Sequence, residues 1–237
     1  MYNDYRYLAV IPARGGSKGI HRKNLVNLNG RPLIAYSIES ALNSKYIDSV
    51  VVSTDDEEIA KVSTSYGANV IKRPAELAGD TSVIVEAILH ALLNINQEYD
   101  FVILLQPTSP LRLSEHIDNA VELLDEKGFT SLVSISPVND HPLLVREREM
   151  DGTLKKVISQ RSSVRRQEMP LYFRINGAIY INRVSELNQN SNLNDNKVGY
   201  VMPKENSIDI DDTIDLIMAE SIINFYHFYS ETINCNS

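Results

Sequence analysis

Short apolar runs that alternate with helical patterns are the feature that most constrains how this chain can fold. Strands are predicted at 7–12, 47–54, 68–71, 101–105 and 131–136, and helices at 32–43, 55–66, 82–94 and 116–127. The helix at 32–43 is expected to be a surface helix that packs over the sheet. The runs at 47–54 and 101–105 are nearly continuous in Val, Ile and Leu, which is typical of parallel strands that are covered on both faces. The sequence therefore predicts an α/β fold in which a parallel sheet is flanked by helices.

The alternation is interrupted once, between about residues 137 and 173. Charge pairs, an Asp-Gly turn at 151–152 and a basic run at 161–166 replace the buried strands there. Strands at 178–181 and 199–202 and a helix at 213–226 then resume the pattern. Because 237 residues suffice for one core, we expect a single domain over 1–237 with an insertion at about 137–173, which is an arm toward a partner subunit.

Charge and cysteine content exclude several classes of protein. The 31 Asp and Glu residues outnumber the 23 Lys and Arg residues, and the resulting net charge of −8 argues against general nucleic-acid binding. Cys235 is the only cysteine, so no intrachain disulfide or cysteine-based zinc site is expected, and a reducing, cytoplasmic location is the simplest expectation. The apolar runs are too short for a signal peptide or a membrane span.

The loop that follows the first strand combines pliable glycines with four cations. In order, it contains Arg14, Gly15, Gly16, Ser17, Lys18, Gly19, Arg22, Lys23 and Asn24. Glycines allow backbone N–H groups to approach phosphate oxygens closely, and Arg and Lys neutralise their charge. The spacing matches neither the P-loop of kinases nor the glycine fingerprint of dinucleotide-binding folds. We interpret the loop as a polyphosphate-binding site, with a solvated glycine turn as the alternative.

Two carboxylates near the end of the chain suggest a metal site. In the segment SIDIDD, Asp209 and Asp211 point to one side of an extended backbone, and the intervening isoleucine points to the other. Two carboxylates on one face suit Mg²⁺ held together with phosphate oxygens. The alternative is helix capping, which we favour for Asp212 and for the Asp-Asp pair at 55–56.

Two further segments are candidates for binding a sugar acid. Gln106 follows the strand at 101–105 in a loop with two prolines, which makes it a rigid hydrogen-bonding position at the same edge of the sheet. Arg166, Arg174 and Asn176 could bind the carboxylate and hydroxyls of an acidic sugar.

These motifs resemble those of the acylneuraminate cytidylyltransferases, including the relatives that activate legionaminic acid. The similarity covers nearly the whole chain and is carried by IPARGGSKGIHRKNL, RPAELAGDTS, LLQPTSPLR, RRQEMPLYFRINGAIYI and SIDIDD. The family transfers CMP from CTP to a nonulosonic acid, releases diphosphate and uses Mg²⁺. The resemblance implies a Rossmann-like fold with a small dimerisation insert, and therefore a homodimer.

The resemblance also implies a role for each matching residue. Arg14, Gly15, Ser17 and Lys18 would bind the CTP phosphates, Lys23 would stabilise charge at the α-phosphate, Asn24 would hold the nucleotide, and Arg73 and Ser82 would frame the cytosine. Gln106, Arg174 and Asn176 would bind the sugar, as would Arg166 from the insertion, either in its own subunit's site or in that of the partner subunit. Asp209 and Asp211 would hold Mg²⁺, with Asp211 as the candidate base. The residues expected to take part in catalysis are Lys23, Asp211 and Arg14.

Three other functions remain open from the sequence. A cytidylyltransferase for the eight-carbon acid Kdo would share the chemistry but only the IPAR motif. A glycosyltransferase that uses a nucleotide sugar would use Asp209 and Asp211 as a DxD motif. A non-catalytic nucleotide-binding module is disfavoured because Lys23 is present together with both aspartates.

Overall fold

The computed structural model describes residues 2–17, 19–79, 83–159 and 170–234, with side chains described as far as Tyr226. The strands are β1 (Tyr7–Pro12), β2 (Asn27–Leu28), β3 (Arg31–Pro32), β4 (Ile47–Thr54), β5 (Asn69–Lys72), β6 (Phe101–Leu104), β7 (Ser131–Pro137), β8 (Arg146–Arg148), β9 (Leu154–Lys156), β10 (Phe173–Arg183) and β11 (Val198–Val201). The α-helices are α1 (Leu33–Leu42), α2 (Glu57–Ser65), α3 (Ile84–Leu93), α4 (Ser114–Lys127) and α5 (Thr213–Asn234). None of the described helices is both long and apolar enough to cross a bilayer.

A seven-stranded sheet forms the centre of the fold, in the order β11-β7-β10-β6-β1-β4-β5. Strands β6, β1, β4 and β5 are parallel neighbours, and β11 is parallel to β7. Strand β10 is antiparallel to both β6 and β7. The predicted α/β fold with a mostly parallel sheet is confirmed.

Both faces of the sheet are covered, as the continuous apolar strands require. Along β1, Ala9 and Ile11 pack into a cluster with residues of α1 and α4, whereas Leu8 and Val10 pack on the opposite face with Ile88 of α3. Alternate residues of one strand therefore contribute to two separate cores.

Three elements differ from their prediction. The helix α1 was expected to be a surface helix, but most of its residues are buried. Strand β10 is 11 residues long rather than four, and α5 extends to Asn234. A two-sided amphipathic pattern is weak in a helix that is covered nearly all round, which explains why α1 was misread.

The described residues between β7 and β10 lie off the central sheet. The chain leaves the sheet at Pro137, forms the short antiparallel hairpin of β8 and β9, and returns at Phe173. The hairpin turn contains Gly152 at a φ of +88°, and Asp151 accepts a hydrogen bond from the backbone N–H of Thr153.

The directions of the strands decide which loops meet. The loops after β1, β4 and β6 leave the carboxyl edge of the parallel strands. Because β10 is antiparallel to β6, the beginning of β10 lies at that same edge. The polar residues near the start of β10 therefore lie beside the loops that follow three parallel strands.

Candidate active site

The loop after β1 is fixed to the sheet by its own backbone. The N–H of Gly15 donates to Oδ1 of Asp55 at 3.0 Å, and Nδ2 of Asn24 donates to the backbone oxygen of Arg14 at 2.9 Å. A Cβ at Gly15 would lie 2.8 Å from Oδ2 of Asp56, so this close approach requires glycine. The loop is therefore an anchored structure rather than a solvated turn.

An arginine in a left-handed conformation closes the far end of the loop. Arg22 has a φ of +53°, and its guanidinium donates to both carboxylate oxygens of Asp56 at 2.9 Å and also to Glu58. Burial would raise the pKa of Asp56, but the N–H groups of Ile59 and Glu58, together with Arg22, hold that pKa below its ordinary value. Asp56 caps α2 as predicted, whereas its neighbour Asp55 holds Gly15.

Two arginines line a small cavity beside this loop. Arg14 donates to the backbone oxygen of Gly79 at 3.2 Å, and Arg73 is buried with its Nε unpartnered among the described residues. Burial lowers the pKa of Arg73, which the carboxylate of Asp55 opposes and the charge of Arg14 reinforces. Both arginines line a cavity of about 250 Å³ together with Ile84.

Lys23 connects the loop to the acidic segment near the end of the chain. Its ammonium group donates to the backbone oxygen of Ile210 at 2.8 Å and to Oδ1 of Asp211 at 3.1 Å. The lysine side chain is only 16% exposed, whereas that of Asp211 is 79% exposed. A Cβ at Gly19 would collide with the backbone carbonyl of Asp211, so the two segments pack in direct contact.

Asp209 is a buried carboxylate that is influenced by charges on both sides of the site. Burial raises the pKa of Asp209 and the neighbouring charge of Asp211 adds to this, whereas Thr108, Lys23 and Arg174 oppose it. Its Oδ1 is buried without a hydrogen-bond partner among the described residues. A buried carboxylate oxygen without a partner is the kind of group that a divalent cation satisfies.

The loop after β6 supplies two polar side chains to the site. Thr108 opposes the rise in the pKa of Asp209, and its backbone oxygen accepts the N–H of Ile210 at 2.8 Å. Gln106 faces Gly177, where a Cβ would lie 2.8 Å from Oε1 of Gln106 and 3.7 Å from Oδ2 of Asp209. Gly177 has a φ of +76°, so both its conformation and its surroundings require glycine.

The beginning of β10 contributes one exposed and one buried polar residue. Arg174 is exposed and donates to the backbone oxygen of Ser207 at 2.9 Å. Asn176 is 2% exposed. Its Oδ1 accepts hydrogen bonds from the hydroxyl of Ser134 and the N–H of Ala178, and its Nδ2 donates to Oγ of Ser207. Asn176 therefore supports the segment that leads to Asp209, and its burial does not favour direct contact with a ligand.

The structure brings most of the expected site residues into one cleft. A cavity of about 360 Å³ is lined by Arg14, Ser17, Lys23, Asn24, Gln106, Asp209 and Asp211, among others. A second cavity of about 540 Å³ shares both aspartates and adds Arg174 and Lys204. Asp209 and Asp211 therefore lie between the two cavities.

Three predicted site residues are outside the described part of the chain, and some residues at the site were not predicted from the sequence. Lys18, Ser82 and Arg166 lie outside the described residues. Sequence reasoning missed Asp55, Thr108 and Arg112 as parts of the site. Asp55 follows a strand directly, in the position of a helix cap, and only the pairing of β1 with β4 brings it to Gly15.

Comparison with known proteins gives consistent results. The sequence profile of the family described as "Cytidylyltransferase" matches residues 8–217. The chain is 39% identical over 225 residues to the CMP-N,N'-diacetyllegionaminic acid synthase of Legionella pneumophila, with 92% of this chain and 96% of that protein covered. It is also 39% identical over 219 residues to the N-acylneuraminate cytidylyltransferase of Escherichia coli, but it spans only 52% of that protein's length.

Two solved structures share the fold at low sequence identity. The CMP:2-keto-3-deoxy-manno-octonic acid synthetase complexed with CTP superposes with a TM-score of 0.69 at 19% identity, covering 93% of this chain and 99% of that one. The 4-diphosphocytidyl-2C-methyl-D-erythritol synthase of Anaerococcus prevotii gives a TM-score of 0.64 at 14% identity, with the same coverage. With the profile and the relatives taken together, the chain belongs to the cytidylyltransferase family.

Proposed function

We propose that this protein transfers CMP from CTP to a nonulosonic acid and releases diphosphate. The observation that carries the proposal is the contact between the cationic loop after β1 and the two carboxylates, where Lys23 bridges Ile210 and Asp211. A cleft with cations on one side and a carboxylate pair on the other suits transfer between two anions. The names of the Legionella and E. coli relatives support the substrates.

The nucleotide would occupy the half of the cleft built on β1 and β4. The loop cations and the backbone N–H groups near Ser17 would bind the phosphates, with Lys18 contributing as the sequence predicts. The cavity between Arg14 and Arg73 would receive the base, together with Ser82. Because Asp55 and Asp56 fix the loop before substrate arrives, little reorganisation is needed on binding.

The acid would occupy the cavity that contains Arg174. Its carboxylate would pair with Arg174 and Lys204, and Arg166 would complete the pocket. Gln106 would bind a hydroxyl group, and Asn176 would hold Ser207 and thereby the acidic segment. The anomeric hydroxyl would then face the α-phosphorus between the two cavities.

The reaction is an in-line displacement at phosphorus. The oxygen of the anomeric hydroxyl forms a bond to the α-phosphorus while the bond to the diphosphate oxygen breaks. Asp211 would accept the hydroxyl proton, and its ion pair with Lys23 fixes the orientation of the carboxylate. Lys23 would neutralise charge that develops on the α-phosphate.

Mg²⁺ fits the residues present. Asp209 and Asp211 would hold it together with phosphate oxygens, and the unpartnered Oδ1 of Asp209 supports this assignment. No group of three or more His, Cys, Asp or Glu side chains in the described ranges is arranged to hold a metal ion, so substrate oxygens and water would complete the coordination. When bound, Mg²⁺ would withdraw charge from the transferring phosphate.

We further propose that the protein acts as a cytoplasmic homodimer. The insertion and the beginning of β10 expose several large apolar side chains, namely those of Leu144, Val145, Leu154, Val157, Leu171, Phe173 and Ile175. A high density of exposed apolar side chains in one segment supports a role in subunit contact. A cytoplasmic location follows from the use of CTP. Light scattering should give about twice the mass of one chain.

The first experiment measures diphosphate release with CTP and Mg²⁺. N-acetylneuraminic, N,N'-diacetyllegionaminic and Kdo acids are offered separately, with ATP, GTP and UTP as controls. Release with CTP and one nine-carbon acid is expected and identifies the substrate. Turnover only with Kdo would favour the eight-carbon alternative. A glycosyltransferase would release a nucleoside phosphate from a CMP-sugar and no diphosphate from CTP, and failure to turn over any acid would reject the proposal.

A further inference from the structure

A buried arginine in the loop after β6 makes no ion pair with any described residue. Arg112 is 2% exposed, and every hydrogen bond that it makes within the described part of the chain goes to a neutral oxygen. Burial lowers its pKa to about 9. Fully buried arginines are usually paired with a carboxylate, since desolvation of the charge is unfavourable. The presence of this residue therefore calls for a reason other than stability.

The hydrogen bonds of Arg112 join three elements at the acid half of the cleft. Nη1 donates to the backbone oxygen of Gln106 at 3.2 Å and to that of Ala178 at 2.9 Å. Nη2 lies 3.4 Å from Oγ of Ser40 in α1. One guanidinium group therefore links the end of β6, the middle of β10 and the helix that covers them.

Both backbone positions held by Arg112 border the reacting centre. Gln106 is the residue expected to bind the acid, and Ala178 directly follows Gly177, which separates Gln106 from Asp209. The backbone oxygen of Gln106 also accepts a hydrogen bond from Oγ of Ser37 at 3.1 Å. The position of the Gln106 side chain relative to Asp209 thus depends on how β6 and β10 are held together.

We propose that Arg112 is a positioning residue that sets the distance between Gln106 and Asp209 for the acid substrate. This inference rests on the proposed function, because it assigns Gln106 to the acid. A planar fork of donors can hold oxygens from several segments at once, whereas a lysine ammonium offers a point charge without this geometry. Gln106 also lines the cavity that contains Arg14 and Lys23. None of the described hydrogen bonds of Arg112 reaches the loop after β1, however, so we expect the larger effect on the acid.

The test compares Arg112→Met and Arg112→Lys with the matched variant Arg31→Met. Arg31 is paired with Glu39 at the protein surface, away from the cleft. For Arg112→Met, we expect the KM for the acid to rise about tenfold and kcat to fall, because small displacements of substrate-binding groups strongly reduce reactivity. The KM for CTP should stay within about twofold and Tm should not fall, since an uncompensated buried charge is removed. Arg112→Lys should lie between Met and wild type, and Arg31→Met should match wild type in both KM values.

A second variant keeps the proposal testable if Arg112→Met fails to fold. Ser37→Ala removes the hydroxyl donor to the Gln106 carbonyl and leaves the guanidinium of Arg112 and the N–H of Ser109 in place. The KM for the acid should therefore rise about threefold, with the KM for CTP unaffected. A wild-type KM for the acid in Arg112→Met, or an equal rise in both KM values together with a lower Tm, would overturn the proposal. Absence of turnover by the wild-type protein with every acid rejects the proposed function, and the role of Arg112 with it.

Discussion

The two halves that we propose for the cleft, one for the nucleotide and one for the acid, are built in different ways. The nucleotide half lies on parallel strands, and exposed or half-buried charges hold its loop: Asp55 binds Gly15, and Asp56 binds Arg22. The acid half lies on the antiparallel strand β10, and buried polar groups such as Asn176 and Arg112 hold it. The difference teaches that the nucleotide loop depends on charge pairs near water, whereas the acid pocket depends on desolvated hydrogen bonds that cannot be exchanged with solvent.

The largest expected effect is at the boundary between the halves. Lys23→Ala should lower kcat by about 10²- to 10³-fold, because a charge that develops in the transition state loses its stabilising partner. Diphosphate release at saturating CTP and acid measures this. The circular dichroism spectrum should be unchanged, and Lys127→Ala, an exposed lysine at the end of α4, is the matched control. Normal turnover in Lys23→Ala would remove this lysine from its catalytic role.

The second prediction is that a substitution at Asp209 lowers activity but raises stability. Asp209→Asn should lower activity about 100-fold. Because burial raises the pKa of this carboxyl in the folded chain, its ionisation costs folding free energy once the pH rises through that pKa. Without divalent cations, the variant should therefore have a higher Tm than wild type at pH 8, and the gain should disappear as the pH falls below about 4.

Thermal unfolding across this pH range, with and without Mg²⁺, tests the second prediction. Added Mg²⁺ should raise the Tm of the wild type more than that of Asp209→Asn. Equal shifts in the two proteins would mean that Asp209 does not hold the cation.

The third prediction compares two glycines with positive φ, one in the acid half of the cleft and one away from the cleft. Gly177→Ala should lose about 1–2 kcal/mol of unfolding free energy and also raise the KM for the acid, because its Cβ would meet Gln106. Gly128→Ala, at a φ of +65° with open space around it, should lose about 1–2 kcal/mol or less without a change in either KM. Urea denaturation and steady-state kinetics measure both. A KM for the acid that is similar in the two variants would show that the turn at Gly177 does not shape the acid pocket.

The smallest effect is expected in the nucleotide half. Arg22→Gln breaks ion pairs with Asp56 and Glu58 that are partly exposed to water, so it should change Tm only slightly. It should raise the KM for CTP about threefold and leave the KM for the acid unchanged, because the loop loses its anchor. Arg31→Gln removes a comparable Arg–Glu pair outside the cleft and should change neither KM. A rise in the acid KM alone would reverse the assignment of the two halves.

The same contrast explains how far the sequence alone could predict the structure. Strands β1, β4 and β6 were predicted to within about one residue, because parallel strands that are buried on both faces form continuous apolar runs. The loop after β1 follows such a strand directly, so its place at the carboxyl edge could be inferred. The contact between Gly15 and Asp55 could not, because it depends on which strand pairs with β1.

The acid half was harder to predict. Strand β10 begins with three exposed residues, 173–175, and has a register shift between Ile175 and Tyr180, so only the continuous apolar run at 178–181 was predicted as a strand. No sequence pattern indicated that this strand is antiparallel to its neighbours. Arg112 was read as part of a loop motif, since burial of an arginine follows from tertiary packing around it and not from its neighbours in the chain.

The pairing of β7 with β10 places the two ends of the insertion side by side. Phe173 lies opposite Pro137, and the N–H of Val138 donates to the backbone oxygen of Tyr172 at 3.1 Å. The insertion thus leaves the sheet and returns to it at adjacent positions, as an insertion between two paired antiparallel strands does. Its length and sequence could be exchanged between relatives without altering the order of the strands, since doubling a loop costs only about 0.6 kcal/mol of closure entropy.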